Sequence, residues 1–438
     1  MKHRGLRLNP ANFEILIRKI MRGKVKHLVC FLAAVSLFLN GPALKAQDVQ
    51  WRGPNRDGIY PDSMLLKEWP ESGPEKLFVT EGIGRGYSSA VATGEMIYVT
   101  GIRDSMEYLT AMDLQGHILW QEPYAPCWDG SVPETRSTPT VEGDRLYLLS
   151  GKDVMVCIQA TTGELLWSVD IHREYGSRWD MFGVSESVLI VGDMVITSPA
   201  GDSTEVIALD KMTGELVWKS ESMGAARSNM SPLLIEHCGR PYVIASTQTH
   251  VIGVDPAVGE ILWDYHYNFL DKNRDNTTIL ANTPIYRDSC LWISDGWDVP
   301  SVMLQIAPDG RSVTEKFKDR TFDNQNMGVV LVDGYLYGSN FTGRNSGKWV
   351  CMNWSTGEIK WIADFYNKGP IIYADGMLYI YEEKQGHMAL VEADPEEFKL
   401  VSTFRVTDGA GPHWARPTIY NRILLVRHGD ALVAYRVT

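Results

Sequence analysis

The sequence predicts an all-β chain folded as an eight-bladed β-propeller, and three observations carry that prediction. A polar turn with a glycine, followed four residues later by tryptophan, recurs as DLQGHILW ending at Trp120, QATTGELLW at Trp167, DKMTGELVW at Trp218, DPAVGEILW at Trp263 and NWSTGEIKW at Trp361. A second, independent motif is a short hairpin led by a small or polar residue and usually a proline, beginning at residues 88, 137, 185, 230, 282, 326, 368 and 415. Successive starts lie 49, 48, 45, 52, 44, 42 and 47 residues apart, and a period in the forties with four strands per unit marks a propeller.

Within each unit the hairpin supplies strands A and B, and the tryptophan phrase brackets strands C and D. Thr161 and Glu164 fit the spacing of a helix capping box, but the other copies lack that pair. The segment after the turn is short, rich in Val, Ile, Leu and Trp, and has a period near two, which favours strand–turn–strand. Two units have lost the tryptophan phrase, near 305–317 and 390–404. The last unit runs out of chain after ALVAYRVT, and EKLFVTEG (75–82) is expected to supply its outer strand and close the ring. A ring of seven blades is the alternative count. The tryptophan on strand D is expected to dock over the glycine turn of the adjacent blade, away from the channel. Cys157 and Cys351, each six residues before a turn glycine, fall on strand C as core residues.

The first 46 residues differ in character. A basic stretch, an apolar run from Leu28 to Leu39 and Ala46 before Gln47 have the layout of a secretory signal peptide, with a run too short to span a bilayer. Met21 opens this layout, so residues 1–20 read as an upstream extension. Cys30 begins the apolar run instead of following it, which argues against lipid attachment. The expected organisation is a signal peptide over 1–46, a leader over 47–74 and a propeller over 75–438, in an exported, periplasmic or secreted protein that does not span the membrane and is a monomer.

Nine Lys/Arg and one Glu precede residue 47, so cleavage there takes the net charge from −12 to about −20. Nucleic acid and anionic membrane surfaces are excluded as partners, because both require clustered positive charge. Five cysteines remain, an odd number, and their spacing matches no CxxC metal site.

The D-x-x-T-G-x-x-x-W phrase resembles the docking motif of the pyrroloquinoline-quinone (PQQ) repeat propellers, over essentially all of 50–438. WRGPNRDG (51–58) and HWARPTIYNRILLVRHGDALVAY (413–435) are similar to exported members of that superfamily, which also holds quinoprotein alcohol dehydrogenases and an outer-membrane-assembly lipoprotein. For a dehydrogenase the resemblance implies PQQ in a funnel on one face, calcium held by Glu, Asn and Asp, and an Asp base. The adjacent-cysteine disulfide that often accompanies PQQ has no counterpart here, and no haem-attachment CxxCH occurs.

Strand A starts at the rim shared by the B–C and D–A connections, so residues just before it face any ligand. Arg136, Arg227, Asn229, Lys368 and Arg416 are therefore candidates for a cofactor or other anionic group, with Trp297 as a stacking platform. The competing reading has these cations in ion pairs with Glu186 or Glu382 that seal the channel. Glu186, Asn282 and Asp295 are oxygen donors of the kind calcium takes. Asp298 and His413 are candidate bases; a pinned rim loop and the cap of the last A strand are their structural alternatives. NRDG (55–58) opens like a calcium loop but lacks further acidic ligands, and reads as a turn. Two functions are consistent with these residues: a non-catalytic binding or scaffold propeller of the cell envelope with a protein or glycan partner, or a PQQ- and calcium-dependent dehydrogenase acting on alcohols or sugars.

Overall fold

A computed structural model describes residues 49–179, 181–267, 280–343 and 346–438. The expected signal peptide lies outside the described residues. After β1 (Ile59–Tyr60) and β2 (Glu75–Glu81), strands group in fours: β3 to β6 between Val91 and Pro126, β7 to β10 between Thr140 and Asp170, and β11 to β14 between Leu189 and Lys219. The next groups are β15 to β18 between Leu233 and His266, β19 to β22 between Ile285 and Asp319, β23 to β26 between Val329 and Ala363, and β27 to β30 between Ile371 and Arg405. The chain ends with β31 (Thr418–Tyr420), β32 (Ile423–His428) and β33 (Ala431–Arg436). Each group is one antiparallel four-stranded blade, and the eighth orders as β2-β33-β32-β31. The N-terminal strand thus closes the ring as expected, with Glu75 opposite Arg436 and Glu81 opposite Ala431. Among the described residues one short helix, α1 (Ile171–Tyr175), interrupts the connection between the second and third blades.

The joints between blades follow from the repeated phrase. Gly163 and Gly214 have φ of +77° and +76°, and a Cβ on either would lie 2.8 Å and 2.9 Å from the rings of Trp120 and Trp167 of the preceding blade. A side chain there is excluded twice, by backbone conformation and by the docked indole. The indole Nε1 of Trp167 donates to Lys211 O at 3.1 Å, that of Trp218 to Pro256 O at 2.9 Å and that of Trp361 to Asp394 O at 2.9 Å, each on the next blade. Where the tryptophan phrase is lost, phenylalanine takes over: Phe317 packs on Gly357, and Phe78 of the closing strand packs on Gly116. At the fourth joint Gly310 is met by Tyr242. In these blades strand D carries a bulge at the residue just before the aromatic, as between Leu165 and Trp167 and between Glu315 and Phe317.

The seventh blade breaks the pattern. Its bulge lies at Val401, so Ser402 stands in the register position of the docking aromatic. The leader fills the gap with Trp69, 3% exposed, whose backbone N donates to Ser402 Oγ at 2.9 Å. Trp69 lies 5.9 Å from Tyr379, matching the 6.1 Å between Trp120 and Tyr98 and the 6.0 Å between Trp361 and Tyr337. Phe404 then packs on Gly73, which precedes the closing strand.

The rest of the leader enters the channel. Val49 bridges Val141 of the second blade, and β1 lies parallel to β27 on its channel side, pairing Tyr60 with Ala374. Between these anchors Arg56, 1% exposed, donates to the carbonyls of Ser187 and Pro232 at 2.9 Å, to that of Val188, and to Gln50 Oε1 at 2.6 Å. NRDG is therefore a turn, as expected, with its Arg56 buried in the channel. Cys157 and Cys351 are fully buried on strand C as expected. Among the described residues no helix is long and apolar enough to cross a membrane.

Candidate functional site

The rim candidates fall into separate sectors. In the first, Arg227, just before the fourth blade, places Nη2 2.9 Å from Glu186 Oε2 and Nη1 2.5 Å from Asp153 Oδ1, with all three side chains at most 1% exposed. Asp153 sits in a left-handed B–C turn, φ 64°, and also accepts from Ser177. Glu186 accepts further from Ser198 N at 3.2 Å. Burial drives the Glu186 carboxyl above its usual range against the pull of Arg227, while the two carboxylates outweigh desolvation and raise Arg227. Such a triad is worth little as net stabilisation, but removing its cation would strand two buried carboxylates. Asn229 is 7% exposed beside it. Arg136, just before the second blade, donates to the carbonyls of Phe182, at 2.7 Å, and Val132.

A second sector spans the fifth to seventh blades. The Asn282 amide donates to Asn324 Oδ1 and Gln325 O, both at 2.8 Å, and its oxygen accepts from Gly328 N at 3.1 Å. Asp295, 1% exposed, accepts from Leu280 N. Trp297 lies 4.9 Å from Phe341, over which the Lys368 ammonium also sits at 5.4 Å. Lys368 pairs with Glu383 at 2.6 Å, not with the Glu382 that the sequence offers, since Glu382 turns back to cap the amides of Lys384 and Gln385. Asp298 is exposed, 3.6 Å from Arg320.

The third sector surrounds the last A strand. His413 contacts the Tyr381 hydroxyl through Nδ1 and stacks on His428 at 3.7 Å. Burial, reinforced by His428, lowers its pKa to about 3, so it is neutral at any physiological pH and its Nδ1 is engaged. Trp414 donates Nε1 to Glu383 Oε2 at 2.9 Å. Arg416 points inward, over the leader's Trp51 at 4.8 Å.

Glu186 and Arg227 are thus in contact, and Trp297 and Lys368 share Phe341, whereas Asn282 and Asp295 sit two blades from Glu186. Among the described residues no three His, Cys, Asp or Glu are grouped to hold a metal ion. With the Glu186 oxygens committed to Arg227 and Ser198 and the Asn282 amide to Asn324 and Gln325, this donor set does not fit a calcium ion. Sequence reasoning missed Asp153 and Glu383, although both occupy the B–C turn, the position it searched at Asp295 and Glu382.

Comparison with known proteins agrees with this geometry. The family model described as "Outer membrane protein assembly factor BamB" matches residues 105–296. A protein of that name from Kangiella koreensis is 27% identical over 144 residues, 32% of this chain. The match spans a third of that relative, 33% of its length. The crystal structure of BamB from Moraxella catarrhalis superposes with a TM-score of 0.61 at 15% identity, covering 83% of this chain and 99% of that one. The quinohemoprotein alcohol dehydrogenase of Comamonas testosteroni gives a TM-score of 0.66 at 10% identity, covering 92% and 82%. At those identities the two superpositions speak for the fold alone. Repeat, blade geometry and sequence match together make this chain an eight-bladed β-propeller with PQQ-like repeats, similar to BamB over residues 105–296 and to the quinohemoprotein alcohol dehydrogenase in fold.

Proposed function

We propose that this propeller is a non-catalytic binding scaffold of the cell envelope, exported to the periplasm, whose partner is another envelope protein. One observation carries the reading: Arg227 and Lys368, two of the cations that a cofactor would need, are spent on buried carboxylates, and the chain's own leader runs through the channel. Arg227 is committed to Asp153 and Glu186, and Lys368 to Glu383. What remains for recognition is the outer rim, where Met181 and Tyr366 are 66% and 62% exposed. The BamB description of the matching family model and of the Kangiella relative supports an assembly role. The dehydrogenase alternative requires Glu186, Asn282 and Asp295 to leave their present partners and converge across two blades.

The test has two arms. Photo-crosslinkers at Met181 and Tyr366 should capture a discrete envelope protein in cells, while one at Asp193, in the A–B turn on the opposite face, should not. Titration with PQQ and Ca²⁺ should give neither saturable cofactor absorbance nor dye reduction with alcohols or sugars. Saturable binding with dye reduction would replace the scaffold reading with the enzyme.

A further inference from the structure

The arginines around the channel are not equally provided for. Arg227 has two carboxylates although its Nε is without a hydrogen-bond partner, and the three guanidinium nitrogens of Arg427 all donate to oxygens, as do those of Arg56. Arg52 and Arg416 differ. Among the described residues neither makes an ion pair. Arg52 gives Nη2 to the carbonyls of Asp57, at 3.0 Å, and Val329, leaving its buried Nε and Nη1 without partners. Arg416 gives Nη2 to Asn326 O, and its buried Nε has none.

These orphaned donors share one place. Both guanidiniums lie over the Trp51 ring, 5.7 Å and 4.8 Å from its centroid. Both also border the bare face of Gly328, where a Cβ would stand 3.0 Å from Arg52 Nη1 and 3.3 Å from Arg416 Nε. Two cations held together in a low-dielectric channel repel, and an unpaired charged donor there costs more than a neutral one. Asp57 offsets part of the desolvation of Arg52 electrostatically, but it makes no close ion pair with Arg52, and its Oδ1 accepts from Ile59 N at 2.9 Å. Asn326 Oδ1 is also buried without a partner, an acceptor beside the donors. Arg416 is only half-buried, which gives the pair an approach from the rim.

We propose that Arg52 and Arg416 form a channel site for a small hydroxylated oxyanion, a hydrogenphosphate or hydroxycarboxylate group, with Trp51 as its wall and Asn326 accepting the ligand hydroxyl. The site is independent of the scaffold reading, since it lies inside the ring and needs no protein partner. Its test is calorimetric titration of the chain with inorganic phosphate, at ionic strength held constant with chloride. Saturable one-to-one binding is expected, weakened about tenfold or more in Arg416→Gln, where a charge-assisted bond is lost. Arg311→Gln, whose guanidinium pairs with Glu260 on the exposed surface, should bind as the parent does. A tungstate soak of crystals should place density between the two guanidiniums, a readout that needs no variant. No saturable heat in the parent, equal affinity in Arg416→Gln, or tungstate elsewhere would each overturn the site.

Discussion

Trp69→Ala isolates the contribution of a residue that belongs to no repeat. The ring is 3% exposed, edge-on to Phe404 at 4.9 Å, and occupies the place that a docking tryptophan holds in other blades. Its Nε1 has no partner, so truncation removes packing without breaking a side-chain hydrogen bond. Removing a buried tryptophan costs roughly 3–5 kcal/mol. An unfolding entropy of about 2.1 cal/mol/K per residue gives about 0.8 kcal/mol/K over residues 47–438, so Tm should fall by about 4–6 °C. Differential scanning calorimetry reads the shift, and hydrogen exchange should show protection lost first in the seventh and eighth blades. Trp69→Phe should recover part of the loss through its contact with Phe404. A Tm within about 1 °C of the parent for Trp69→Ala would refute the substitution of leader for blade.

Trp218→Ala should lower Tm comparably by calorimetry without affecting any rim ligand, because it vacates the Gly259 turn and the bond to Pro256. Arg227→Met should destabilise by about 3–5 kcal/mol in denaturant titration, since Asp153 and Glu186 would stay buried without their cation. Burial raises the Glu107 carboxyl from 4.5 to about 7, against hydrogen bonds from Tyr124 and Gly151, so the folded chain keeps a proton that the unfolded chain has released. Stability should therefore fall as pH rises through that window, by up to about 3 kcal/mol from this group. Glu107→Gln should flatten that part of the pH–stability curve measured by urea unfolding; an unchanged slope would count against a buried, protonated Glu107. Arg56→Ala should cost several kcal/mol, about 1 for each of its four bonds, because the carbonyls of Ser187, Val188 and Pro232 lose their donor inside the channel.

The ring was legible because the A–B hairpin repeats eight times and the tryptophan turn five times, and even the closing strand could be assigned from its position before the first hairpin. Trp69 was not, because its role depends on a serine, Ser402, standing at the docking position of a blade more than three hundred residues away. NRDG was legible as a turn, but its place in the channel was not, for a related reason. Only the carbonyls of distant blades make Arg56 tolerable there. At the rim, spacing located the candidates but not their partners. Arg227 finds Asp153 74 residues away, and Lys368 takes Glu383 over Glu382 because Glu382 caps its own turn.

The aromatic joints all run one way: each blade rests a ring on the next, from Phe78 on Gly116 round to Phe404 on Gly73. An open stack of repeats is divided in two by one failed joint, and its terminal units need caps. A cycle cut once is still a single connected string, and two cuts are needed to free a blade. Sequence drift at any one joint is thereby tolerated, which is how this chain carries phenylalanine at some joints, tyrosine at another, and a borrowed tryptophan at the seventh blade without losing the ring.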